Sequence, residues 1–210
     1  MITNDVDEAL ILADRILCLN PDGTLGQEFS VALPRPRDRA ALNQGAFKGL
    51  RADVTAYLMD VGIKSKLPET RHLPAVTPRH AIPGAYKRAA ASPLEARYLH
   101  FSQLHKTYVT PKGPLMVVED FNLTLKRGEF VSLIGHSGCG KSTVLNMTAG
   151  LNAISRGAIT LDGLHVEGAD PERAVVFQSP NLFSWLTAKQ NVAIGVAKVY
   201  PKAALLHKSA

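Results

Sequence analysis

The stretch Gly135-His136-Ser137-Gly138-Cys139-Gly140-Lys141-Ser142 constrains this chain more than any other. Its spacing is G-x-x-x-x-G-K-[ST]. It follows a mostly apolar run, Phe130-Val131-Ser132-Leu133-Ile134, which has the length of a buried strand. A helix is expected from about Lys141. Strand, glycine loop and helix in that order belong to an α/β architecture. Glycines let the backbone turn tightly at positive φ and bring its N–H groups close to phosphate oxygens. The helix N-terminus adds unpaired N–H donors and the positive end of its dipole. Lys141 contributes a point charge for terminal phosphates, Ser142 a hydroxyl for a hard cation, and Thr143 a further phosphate contact. His136 occupies a variable loop position and is expected to face solvent. Cys139 is read as a small loop residue rather than a nucleophile.

A second feature divides the chain. Pro68, Pro74, Pro78, Pro83 and Pro93 fall within about 36 residues, so this stretch is neither a helix interior nor a central strand. Between Gly62 and Arg97 seven bases stand against two acids, which is +5 of the chain's net +6. No aromatic ladder accompanies that charge, so it reads as a solvated basic tether rather than a nucleic-acid surface. The expected organisation is residues 1–65, a linker over 66–96, and residues 97–210.

In the first segment, Asp5 with Glu8 three residues later signals a helix start. Ala9, Leu10, Leu12 and Ala13 are expected to form its buried face. Ile16 to Leu19 reads as a strand ending at the turn Asn20-Pro21-Asp22-Gly23, and Phe29 to Leu33 as another strand closed by Pro34. Leu50, Val54, Leu58 and Val61 mark one face of a helix over about 40–61. In the second segment, strands are expected at Tyr98–Phe101, Lys106–Val109, Leu115–Val118, Asn122–Lys126, Ala158–Leu161 and Ala174–Phe177. Asp162-Gly163 reads as a turn between strands, not a metal site.

Composition excludes several classes. Apolar residues at 46 % and charged residues at 20 % argue against wholesale disorder and fibrous repeats. No run approaches 18 apolar residues, the acidic N-terminus is unlike a signal peptide, and Cys18 and Cys139 are too few for a disulfide framework. A reducing, cytoplasmic setting is expected.

From Gly128 to Thr143 the sequence resembles the ATPase domains of ATP-binding cassette (ABC) transporters. Thr148-Ala149-Gly150-Leu151, Gly157-Ala158-Ile159, Asp162-Gly163 and the Q-loop-like Val175-Val176-Phe177-Gln178 follow that family's order. The resemblance implies a P-loop NTPase fold with an antiparallel β portion near the nucleotide, and ATP and Mg²⁺ as cofactors. It implies nucleotide contacts from Gly135, Ser137, Gly138, Cys139, Gly140, Lys141, Ser142 and Thr143, with Ser142 and Gln178 on the metal side. Tyr108 lies where the family keeps an aromatic that stacks on adenine.

The first segment resembles the opposite end of the same domain, with Asn4 at the switch position where the family usually has histidine. The whole therefore looks like the junction of two tandem ATPase domains, 1–65 ending the first and 97–210 beginning the second. Leu33-Pro34-Arg35-Pro36-Arg37-Asp38-Arg39, Ser184-Trp185-Leu186-Thr187 and Val199-Tyr200-Pro201 resemble nitrate, nitrite and cyanate importers, with sulfonate and taurine importers near by. Partners implied are transmembrane permease subunits, a periplasmic or extracellular substrate-binding protein and a second ATPase domain, at the cytoplasmic face of the plasma (inner) membrane. No nucleic-acid partner is expected. Trp185 lies in the loop that would face the permease. No L-S-G-G-Q signature and no acid follows Gln178, so the expected fold is incomplete and the general base is missing. The chain alone is expected to bind nucleotide without turning it over. The alternative is a catalytically dead nucleotide-binding or regulatory module paired with an intact ATPase.

Overall fold

The computed structural model describes residues 1–37, 45–64, 98–171, 173–177 and 181–199. Gln178, Asp38, Arg39, Tyr200, Pro201 and the 66–96 stretch lie outside the described residues. Residues 1–167 form one compact unit and residues 168–210 another.

In the first unit, β1 (Ile2–Thr3) leads into α1 (Val6–Leu12), then β2 (Arg15–Leu19) and β3 (Leu25–Ser30). The Asp5 carboxylate caps α1 by accepting from the Asp7 and Glu8 N–H groups. Glu8 does not reach back to the cap. It accepts from the Thr3 hydroxyl, and Thr3 Oγ1 accepts from the Asp5 N–H instead. Ala9, Leu10 and Ala13 are buried, while Leu12 is exposed because it falls on the outer side of this two-turn helix. The turn at Asn20 closes as expected, with the Gly23 N–H donating to the Asn20 carbonyl. Its partner strand is Leu25–Ser30, not Phe29–Leu33. The hairpin register pairs Leu19 with Leu25, and the polar Gln27 and Glu28 fill an exposed edge that apolar patterning does not mark.

Helix α2 (Gly45–Lys64) packs through Phe47, Leu50, Val54, Tyr57 and Leu58. Beyond the link come the long antiparallel strands β4 (Leu99–Thr110) and β5 (Gly113–Leu125). Each replaces two expected strands. Positive φ at Gln103 and at Asp120 bends the strand without ending it. Then follow β6 (Val131–Gly135), α3 (Lys141–Thr148), β7 (Arg156–Leu161) and β8 (Leu164–His165). Asp162 and Gly163, both at positive φ, make the two-residue turn joining β7 to β8.

Two sheets result. One has the order β1-β6-β2-β3, the other β5-β4-β7-β8 and is antiparallel throughout. In the first sheet β6, from beyond the link, lies between β1 and β2, parallel to both. Alternation along these strands builds two cores. Leu17, Leu19 and Leu133 face Phe101, Val118, Phe121 and Met147, while Ile16, Cys18 and Ile134 face Ala9, Leu10, Phe47 and Val54. Burial on both faces is why these strands read as continuous apolar runs. The segments are also tied by Arg15, which binds Glu129 and Glu28 and donates to the Thr124 carbonyl, and by Asp14, which accepts from the Phe130 N–H.

In the second unit, α4 (Ala188–Val199) opens on a reciprocal cap. The Thr187 N–H donates to Gln190 Oε1, and the Gln190 N–H to Thr187 Oγ1. The sequence T-x-x-Q at 187–190 is the signal that announces this helix, and the sequence reading did not use it. Ala174–Phe177 is not a strand; Val176 is 92 % exposed and no neighbouring strand pairs with it among the described residues. A strand needs a ladder partner, and apolar composition alone does not supply one.

Candidate nucleotide site

Register decides what meets at the carboxyl ends of the parallel strands, where open α/β sheets bind ligands. Thr3 pairs with Ile134, and Leu19 with Gly135. Asn4, the residue after β1, therefore comes level with the start of the glycine loop on one side, and Leu19 flanks it on the other. Asn4 also lines an open depression with Asp5, Asp7, Arg51 and Thr55. Residues from opposite sides of the link are brought to one sheet edge.

The loop itself is shaped by backbone. Gly140 caps α3 in the left-handed region, at φ 101°, and a Cβ there would lie 2.7 Å from the Val117 carbonyl oxygen. Any other residue would be both strained and in collision with β5. The first helical bond of α3 runs from the Val144 N–H to the Gly140 carbonyl. The N–H groups of Lys141, Ser142 and Thr143 thus lie outside the helix ladder, at its positive end. Ser137, Gly138 and Ser142 are exposed, whereas Cys139 is buried. The Cys139 Sγ lies 3.6 Å from Lys141 Nζ.

Lys141 is folded onto its own loop. Its ammonium donates to the Gly135 carbonyl at 2.8 Å and to the His136 carbonyl at 2.7 Å. Phosphate oxygens would replace two neutral acceptors with charged ones, which make shorter and stronger bonds. His136 is exposed, as the sequence suggested, but it also has a partner. Its Nε2 bonds the Leu58 carbonyl of α2 at 2.8 Å.

Tyr108 is half-exposed on β4. Its hydroxyl accepts from Asn152 Nδ2, and Lys106 Nζ sits 4.7 Å from the ring centroid. A face that already attracts a cation carries the quadrupole a purine ring would stack on. Trp185, in the second unit, is 76 % exposed and touches Phe183, with ring centroids 5.1 Å apart. It is therefore not a core residue of its own unit.

Among the described residues no group of three or more His, Cys, Asp or Glu side chains could cage a metal ion. A magnesium ion takes most of its oxygens from water and phosphate, and the exposed Ser142 hydroxyl would be an oxygen donor of the kind it accepts.

Residues 118–209 match the ABC transporter family. The nitrate import ATP-binding protein NrtD of Synechococcus elongatus is 42 % identical over 113 residues, which is 54 % of this chain and 41 % of that protein. The bicarbonate transport ATP-binding protein CmpD of the same species is 46 % identical over 112 residues, 53 % of this chain and 40 % of that one. A solved dimeric post-hydrolysis state of the ATP-binding cassette MJ0796, bound to ADP and Pi, is 32 % identical with a TM-score of 0.45. It covers 49 % of this chain and 48 % of that one. The chain spans about two-fifths of the length of the curated relatives it matches. The strand, glycine loop and helix of P-loop type lie within the stretch, from Val118 onward, that is similar to the ABC transporter family.

Proposed function

We propose that the chain is part of the ATP-binding component of an ABC importer for a small oxyanion such as nitrate or bicarbonate. The observation that carries the reading is the loop at the end of β6. Lys141 is held by two replaceable carbonyls of its own loop, and the N–H groups of Lys141, Ser142 and Thr143 at the start of α3 lie outside the helix ladder. In this reading Gly135, Ser137, Gly138, Cys139, Gly140, Lys141 and Thr143 bind the phosphates, and Tyr108 stacks on adenine. Ser142 and Gln178 hold Mg²⁺, which would neutralise phosphate charge and order the terminal phosphates.

Asn4 stands at the switch position and can donate a hydrogen bond to the terminal phosphate. It cannot carry the positive charge of a histidine. In this reading the protein works at the cytoplasmic membrane face with permease subunits, a substrate-binding protein and a second ATPase domain, and its sequence order is that of a junction between two tandem domains. No helix among the described residues is long and apolar enough to cross a membrane.

Titration with a fluorescent ATP analogue in Mg²⁺ tests the reading. The expected result is saturable binding, abolished in Lys141→Ala, with no steady-state release of phosphate. Binding that survives Lys141→Ala removes the phosphate loop from the proposal. Phosphate release that depends on Lys141 overturns the expected lack of turnover.

A further inference from the structure

We infer that His136 is a positioning residue, through which helix α2 sets the phosphate loop for its ligand. The inference rests on the nucleotide reading above and deepens it. His136 follows Gly135 directly, yet its side chain leaves the loop and reaches 78 residues back in sequence to the Leu58 carbonyl. A carbonyl only accepts, so Nε2 carries the proton.

One turn further along α2, Gly62 gives the ring its room. A Cβ at Gly62 would lie 2.6 Å from Nε2 and 2.8 Å from Cε1. Leu58 and Gly62 together form a seat for the imidazole. The main chain of the same residue has a different task, since the His136 carbonyl accepts from Lys141 Nζ at 2.7 Å. Fixing the side chain fixes the carbonyl that orients the lysine.

The anchor is itself rigid. Phe47 and Val54 are buried, and the Tyr57 hydroxyl donates to Asn20 Oδ1 while accepting from the Gln27 N–H. The helix is thus bolted to β2 and β3, so it pre-orders the loop rather than gating it. Pre-ordering lowers the ordering cost of binding. By reciprocity, an occupied loop tightens the docking of α2, the helix that leads into the basic link.

Four full-chain variants test this. His136→Ala removes the donor. His136→Gln keeps an amide N–H donor of similar reach. Gly62→Ala displaces the ring while favouring helix, so a failure to fold does not confound it. The fourth combines Gly62→Ala with His136→Ala.

Two readouts are taken, affinity for a fluorescent ATP analogue with Mg²⁺ and amide exchange of residues 136–141 without nucleotide. His136→Ala and Gly62→Ala are expected to weaken binding about five- to tenfold and to speed loop exchange. His136→Gln should restore both to within about twofold, and the double variant should resemble His136→Ala alone. Unchanged exchange in both single variants, or additive losses in the double variant, overturns the proposal. If the unaltered chain binds no nucleotide, the nucleotide reading falls; the exchange measurement then decides the His136 anchor by itself.

Discussion

At the scale of single residues, the capping carboxylate and the buried thiol carry sharp consequences. Asp5 accepts from two N–H groups at the start of α1, and α1 is only seven residues long. Asp5→Ala should lower stability by about 1 kcal/mol in urea unfolding, and an unchanged midpoint would mean the cap contributes nothing. Cys18 faces the α1–α2 core, and burial pushes its thiol from 9.0 up to about 12. The folded state therefore keeps a proton that the unfolded chain loses. The thiol's contribution is complete below pH 9.0 and declines as pH rises from there toward 12. The stability difference between the wild type and Cys18→Ala should shrink over that range, and a constant difference would exclude the thiol as its source. Asp14 is shifted the other way. The Phe130 N–H and the Arg35 guanidinium hold its carboxyl below the ordinary value.

At the scale of elements, the helical pattern of α2 divides its face cleanly. Val54 is fully buried and Met59 is 63 % exposed, although both are apolar. Val54→Ala should cost about 2 kcal/mol, whereas Met59→Ala should stay within about 0.5 kcal/mol. Equal losses in calorimetry would mean that α2 is not seated on this face. Apolar periodicity placed this helix because one stripe faces one core. The same reasoning misplaced β3, because an edge strand with an exposed face can be built from glycine and glutamine. It also divided β4 and β5, because a bulge and a chain end look alike in sequence. At Ala174–Phe177 it saw a strand where the described residues offer no ladder.

At the scale of the molecule, the phosphate-loop strand completes its sheet with strands from before the link. Among the links that cross that boundary are the β1–β6 ladder, the β2–β6 ladder and the Arg15 bridge to Glu129. A protease site introduced between Lys64 and Tyr98 and then cut should leave both halves co-eluting, separating only in denaturant. Halves that part under native conditions would mean that the shared sheet does not hold them.

The sequence alone determined the local chemistry: the phosphate loop, the cap at Asp5, the turns at Asn20 and Asp162, and the ABC family resemblance. Each is written within a few adjacent residues, because backbone sterics and local hydrogen bonds decide it. Tertiary structure decided what is non-local. It brought Asn4 level with Gly135 through strand register, seated His136 on Leu58 and Gly62, and laid Leu17, Cys18 and Ile134 on their respective faces. Those placements follow from which strand pairs with which, and pairing free energy depends on surfaces that meet only once the chain has folded.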